Sequence, residues 1–210
     1  MASPRKRARP RADRGKPPAF LGGLTAALGA VSAWLSDAGV RFAVIGGVAA
    51  SLHGRPRVTK DVDVVAIADD ADWASLMESA RAHGLAPRID DALAFAKQTR
   101  VLLLRHEPTR IEVDLSFGML PFELEVVQRA ELREVNRIRF PLATPEDIIV
   151  MKALALRPRD VADIEGIVET VGALDLERIR ATVSQLSAAL EGVDHVARLE
   201  EILRATLGRP

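Results

Sequence analysis

Leu21, Leu24, Leu28, Val31 and Leu35 recur at three- and four-residue intervals between Phe20 and Asp37. That spacing puts them on one stripe and predicts an amphipathic helix, which Gly39 ends. Arg41 to Ile45 is a short β-rich run closing on Gly46-Gly47. Val48 to His53 is small and apolar, a short helix closed by Gly54, and Arg55-Pro56-Arg57 follows as a basic loop. Asp61 and Asp63 then alternate with Val62 and Val64 in a strand running to Ile67. Asp69 to His83 reads as one helix capped by Gly84. Arg100 to Arg105 and Arg110 to Ser116 read as two strands joined by a turn at Glu107-Pro108-Thr109.

The texture changes at Pro145. Thr144-Pro-Glu-Asp147 has the form of a helix start, with a capping threonine and proline at the first helical position. Four helices are predicted beyond it, over 145–156, 159–171, 175–190 and 193–207, and no internal repeat is visible. The order is therefore α+β: a mixed sheet flanked by helices, then a C-terminal helical bundle. The expected divisions are a basic arm over 1–18, a sheet-bearing domain over 19–143 and a helical domain over 144–210.

Composition narrows the function classes. The 210 residues are 48% hydrophobic and 28% charged, a folded rather than a disordered balance. There is no cysteine, which excludes disulfide scaffolds and Cys-ligated zinc and fits a reducing, cytoplasmic setting. Aromatics are 4% with no tyrosine, so stacking platforms for single-stranded nucleic acid are not expected. No apolar run has the length of a membrane span. The formal net charge of zero hides an asymmetry. Residues 1–18 carry seven basic residues against Asp13, so the remainder has 22 basic and 28 acidic residues. Such a Pro/Arg-rich arm either stays solvated or meets a polyanion such as RNA.

The chemistry concentrates between Phe42 and Ile67. Gly46-Gly47 ends a strand and opens a helix, where free N–H groups and the dipole favour an anion and glycine permits close approach. Period-2 geometry puts Asp61 and Asp63 on one face of a strand, where like charges oppose strand formation unless a cation lies between them. Hard oxygen ligands of this kind suit Mg²⁺. Arg110, Glu112 and Asp114 share one face of a later strand. If it neighbours the first, Asp114 or Glu112 supplies a third carboxylate; Asp114, nearer the strand's end, is preferred, but spacing does not separate the two. Arg57 and Lys60 flank the acidic pair, suited to phosphate or to an acceptor. Lys152 interrupts the apolar run IIVMKALAL and either reaches solvent or points into a cleft. Asp160 and Asp163, at i and i+3, orient that lysine or solvate their helix. His53, His83, His106 and His195 have no metal-binding spacing. Trp34 and Trp73 sit at core positions.

A Gly-Gly turn, a helix, Asp61-Val62-Asp63 and the later Asp114 resemble the nucleotidyltransferase superfamily of the polymerase-β type. The run ATPEDIIVMKALALRPRDVADI resembles the helical tail of the AbiEii-type and minimal nucleotidyltransferase families of toxin–antitoxin systems. The resemblance spans about residues 20–170. It departs at Gly47, where the family pattern often has serine. It implies Mg²⁺-dependent two-metal transfer of NMP from an NTP, with Asp61, Asp63 and Asp114 as metal ligands and Gly46, Gly47, Arg57, Lys60 and Lys152 around the nucleotide. The implied acceptor is a macromolecular hydroxyl, at the 3′ end of a tRNA or on a partner toxin or antitoxin protein. A silent nucleotidyltransferase fold that only binds a partner, and a small-molecule (antibiotic) adenylyltransferase, are the alternatives.

Overall fold

The computed structural model describes residues 19–188, 190 and 193–208, with side chains from residue 22 onward. The basic arm lies outside the described residues. Helix α1 (Ala19–Asp37) follows the expected stripe, with Leu28, Val31, Trp34 and Leu35 buried. Strand β1 (Arg41–Val44) leads into α2 (Gly46–His53) and then β2 (Asp61–Ile67). After α3 (Trp73–Ser79) come β3 (Leu85–Pro87), α4 (Ala92–Thr99), β4 (Val101–His106) and β5 (Ile111–Phe117). Helix α5 (Pro121–Arg129) precedes a hairpin of β6 (Glu131–Val135) and β7 (Ile138–Leu142). Four helices close the chain: α6 (Pro145–Ala155), α7 (Pro158–Thr170), α8 (Leu176–Ser187) and α9 (His195–Leu207).

The seven strands form one mixed sheet in the order β3-β4-β5-β2-β1-β7-β6. Strands β2 and β5 run parallel, as do β1 and β7; the other pairs are antiparallel. One face of the β2–β5 pair is apolar: Val62, Val64, Val113 and Leu115 are fully buried and join α1 in a single core. That core continues into the C-terminal helices through Ile148, Ile164, Ile179 and Leu199. Trp73 stacks on Phe117 with ring centroids 3.9 Å apart, fixing α3 against the end of β5.

The fold thus has the expected architecture, with local differences. The 69–83 segment is not one helix: 3-10 turns at 70–72 and 80–83 flank α3, and Gly84 (φ 71°) ends it. Arg110 does not share a face with Glu112 and Asp114. It lies before β5 in the left-handed region (φ 61°), its guanidinium 2.7 Å from Glu107. The capping threonine is met at α6, where the Thr144 hydroxyl accepts from the Asp147 N–H at 3.3 Å.

Candidate active site

The parallel register of β2 and β5 sets Asp61 beside Glu112 and Asp63 beside Asp114. Four carboxylates therefore project from one patch of one sheet face, as alternation along each strand requires. Helix α2 starts over this patch. Gly46 is in the left-handed region (φ 62°), and a Cβ there would lie 1.9 Å from Asp63 Oδ2. Only glycine lets the chain pass so close to the carboxylate. The Gly47 N–H donates to Asp63 Oδ2 at 3.3 Å.

Thr59 explains the departure at Gly47. A Cβ on Gly47 would meet the Thr59 hydroxyl at 2.6 Å and Arg57 Nη2 at 3.2 Å. The buried Thr59 hydroxyl instead donates to Asp61 Oδ1 at 2.8 Å. The space a serine side chain would take is filled from across the loop.

The acidic face is short of positive charge. Burial, then the charge of Asp61, pushes the Asp63 carboxyl up to about 6, against a smaller opposing effect of the Gly47 N–H. Asp114 is also raised, chiefly by burial; Arg88 opposes the rise while Asp61 and Glu112 add to it. Arg88 was not legible as a site residue. It follows β3 and reaches across to donate to Asp114 Oδ1 at 2.7 Å and to Glu112. Among the described residues, no group of three or more His, Asp or Glu side chains converges closely enough to form a ready cation cage. The donor chemistry nevertheless suits a hard cation: oxygen ligands only, on one face, at a strand spacing at which Asp61 still raises the Asp63 carboxyl.

Lys152 is buried, and its ammonium lies 3.0 Å from Asp160 Oδ1 and 2.7 Å from Asp163 Oδ2. Arg57 makes a two-pronged bond to Asp163 at 2.6 and 2.8 Å. Asp160 also accepts from the Arg157 N–H at 3.0 Å, ordering the start of α7. These ion pairs tie the loop before β2 to α6 and α7. Between them and the acidic strand lies a cleft of about 1020 Å³. Gly46, Gly47, Arg57, Lys60, Asp61, Asp63, Lys152 and Asp160 are among its lining residues; Asp114 and Asp163 are not. A separate depression of about 900 Å³, lined by Asp69, Asp70, Asp72 and Arg100, contains none of these residues. The four histidines have local partners: His53 on the Ala143 carbonyl, His106 on Thr109, His195 on the Ala153 carbonyl and His83 near Asp37.

A mixed sheet with an acidic pair beside a glycine turn, closed by helices, defines a nucleotidyltransferase-type protein of the polymerase-β class. The family described as "Nucleotidyl transferase of unknown function (DUF2204)" matches residues 25–200, and the chain belongs to it. No curated protein matches the sequence. Two solved structures share the fold. An antigenic nucleotidyltransferase-like protein from Paracoccidioides brasiliensis is 17% identical with a TM-score of 0.55, covering 90% of this chain and 98% of its own. The antibiotic-resistance factor ANT(2'')-Ia is 14% identical with a TM-score of 0.53, covering 87% and 97%. No helix among the described residues is long and apolar enough to cross a membrane.

Proposed function

We propose that the protein is a Mg²⁺-dependent nucleotidyltransferase that moves NMP from an NTP to a hydroxyl of a macromolecule. The observation that carries this reading is the in-register acidic patch of Asp61, Asp63 and Asp114 beneath the start of α2. Asp61, Asp63 and Asp114 would hold the metal, which when bound neutralises phosphate charge and lowers the pKa of an attacking hydroxyl. The chain's own part is positioning. Gly46 and Gly47 offer backbone N–H groups at a helix start. Lys60, Arg57 and Lys152 all line the cleft, for the phosphates. Asp160 and Asp163 hold Lys152 and Arg57 at fixed separations, so charge is set before the nucleotide enters.

Residues 19–143 are read as the catalytic unit and 144–210 as the helical unit that supplies Lys152. The tail resemblance favours a toxin–antitoxin role, with a tRNA 3′ end or a partner protein as acceptor. The cysteine-free composition fits a cytoplasmic setting. A second reading, a silent fold that only binds a partner, draws on the Arg88 bond that holds Asp114. The likeness to ANT(2'')-Ia is one of fold, so a small-molecule acceptor is a further arm of the same test.

The test is incubation with each labelled NTP and Mg²⁺, together with total RNA, a lysate, or aminoglycosides. Label on RNA or protein supports the proposal, label on a small molecule replaces the acceptor, and no label on anything favours the silent fold. If RNA is labelled, removing residues 1–18 is expected to weaken RNA binding and flatten its salt dependence, because each lost cation contact removes about one released counterion.

A further inference from the structure

The sheet ends in β6, whose residues Glu131 to Glu134 are exposed. Leu132 is 69% exposed, an apolar side chain on an outer strand where protected edges place charge or proline. The geometry of the hairpin settles which backbone groups of β6 face outward. Val135 and Ile138 are paired across a two-residue turn, Asn136-Arg137, with both φ values positive (51° and 69°). In such a turn the flanking residues form a hydrogen-bonded pair. Alternation then bonds Val135, Arg133 and Glu131 to β7 and turns the N–H and C=O of Leu132 and Glu134 away from it. Pro141 agrees independently: it stands opposite Leu132 and has no N–H to give.

We propose that β6 pairs antiparallel with β6 of a second copy of this chain, with Leu132 on the two-fold axis. An antiparallel pairing must join outward-facing residues to outward-facing residues, which leaves three registers between Leu132 and Glu134. Of the two centred nearer Ala130, Ala130 opposite Leu132 sets Glu131 against Glu131, and Ala130 opposite Ala130 runs into α5. With Leu132 opposite Glu134, Arg133 faces Arg133 of the other copy. With Glu134 opposite Glu134, two carboxylates collide. With Leu132 opposite Leu132, Glu131 faces Arg133 and Arg133 faces Glu131, so both charged pairs are complementary. That register also brings Glu134 opposite Ala130, whose backbone is extended (φ −58°, ψ 134°). It therefore adds hydrogen bonds on both sides of the axis. Charge and hydrogen bonding select one register, and it is self-complementary as a two-fold interface requires. The result is one continuous sheet through both protomers. The inference is independent of the proposed reaction.

The absence of cysteine makes a direct experiment available. Leu132→Cys places two thiols across the axis in a hydrogen-bonded pair, about 5.5 Å apart at Cα and within disulfide range. Mild oxidation of the full chain is expected to convert Leu132→Cys to a covalent dimer and to leave Glu134→Cys monomeric. Equal crosslinking of both variants, or of neither, overturns the register. Sedimentation provides the second arm. Glu131→Arg and Arg133→Glu each place like charges opposite one another twice and are expected to weaken the dimer at least tenfold. Mixed in equal amounts, the two variants are complementary to each other and should form a heterodimer. A wild-type chain that stays monomeric, or single variants that dimerise as well as wild type, overturns the proposal. All these positions are exposed, so folding, checked by circular dichroism, is expected to be unaffected.

Discussion

Asp63 lines the cleft and Asp163 holds two of the cations that line it, Arg57 and Lys152, and the two acids have opposite ionisation behaviour. Both lose water to burial, which raises a carboxyl. At Asp63 nothing sufficient opposes it, Asp61 adds to it, and the group rises to about 6. At Asp163 burial is outweighed by hydrogen bonds from Arg57 and Lys152, and the carboxyl falls below its usual range. Asp147, fully buried, follows the second pattern of contacts, held by Arg129 and Arg178 at 2.9 and 2.8 Å. The helical side of the molecule has internal partners for its acids. The strand side leaves its acids under-compensated, which is a cost to the fold that an external cation would relieve.

The sharpest break of this contrast is loss of a strand carboxylate. Asp61→Asn or Asp63→Asn is expected to reduce nucleotidyl transfer by about a thousandfold, about 4 kcal/mol of transition-state stabilisation. The fold should persist, so melting and transfer must be measured on the same sample; transfer at wild-type rates would remove the acidic patch from the mechanism. The helical side should respond in the opposite sense. Lys152→Met leaves Asp160 and Asp163 with less compensation, and breaking a buried pair costs about 3 kcal/mol or more. Urea denaturation checks it, and an unchanged midpoint would mean that Lys152 does not hold the acids. Nucleotide affinity of any folded Lys152→Met protein should also fall.

How far this contrast was legible in the sequence differs between the two sides. The strand side was nearly fully readable, because period-2 alternation places Asp61 and Asp63 on one face without reference to anything distant. The placement of β5 beside β2 needed tertiary pairing, and so did the neighbour relation of Asp63 and Asp114. Lys152 had two open readings because its partners, Asp160 and Asp163, come into reach only when α7 folds back on α6. Arg88 carried no signal: it sits after a three-residue strand in a stretch with no periodicity. Strands β6 and β7 were missed for a similar reason. Glu131 to Val135 is mostly polar, and Pro141 inside β7 speaks against a strand until its place beside an edge is known. The 69–83 segment has helical composition, but in the fold it is α3 between two 3-10 turns, with Trp73 at the start of α3 stacked on Phe117, a contact that period alone does not reveal.

The pH dependence of stability sharpens the comparison further. Because the folded-state carboxyl of Asp63 titrates near 6 rather than 3.8, the folded protein binds more protons than the unfolded chain between these values. Stability from this group therefore falls as pH rises from about 4 to about 6, and the full penalty stands above that range. It amounts to roughly 3 kcal/mol. Asp63→Asn keeps an acceptor for the Gly47 N–H and removes the charge. In chelator, the variant is expected to be more stable than wild type at pH 8, with the gain vanishing below pH 4. A gain that is independent of pH would mean the charge of Asp63 is not the cause.

Asp114 is the intermediate case, and Arg88 is what makes it so. The guanidinium supplies the strand side with one internal cation, enough to draw Asp114 out of line with Asp63 but not enough to bring its carboxyl below the ordinary range. Arg88→Gln removes that cation while keeping a side chain of similar reach. Two consequences follow from charge alone. The Asp114 carboxyl should titrate higher, since its largest opposing influence is gone. The patch, now more negative, should attract Mg²⁺ or Mn²⁺ more strongly, by about 1 kcal/mol or about fivefold, the size expected for a partly exposed pair. Calorimetric titration of both metals into the two proteins measures the second effect, and carboxyl NMR the first. Weaker metal binding by Arg88→Gln would mean that Arg88 positions Asp114 for the cation rather than competing with it, and would move Arg88 from the acid's internal partner to a support of the site.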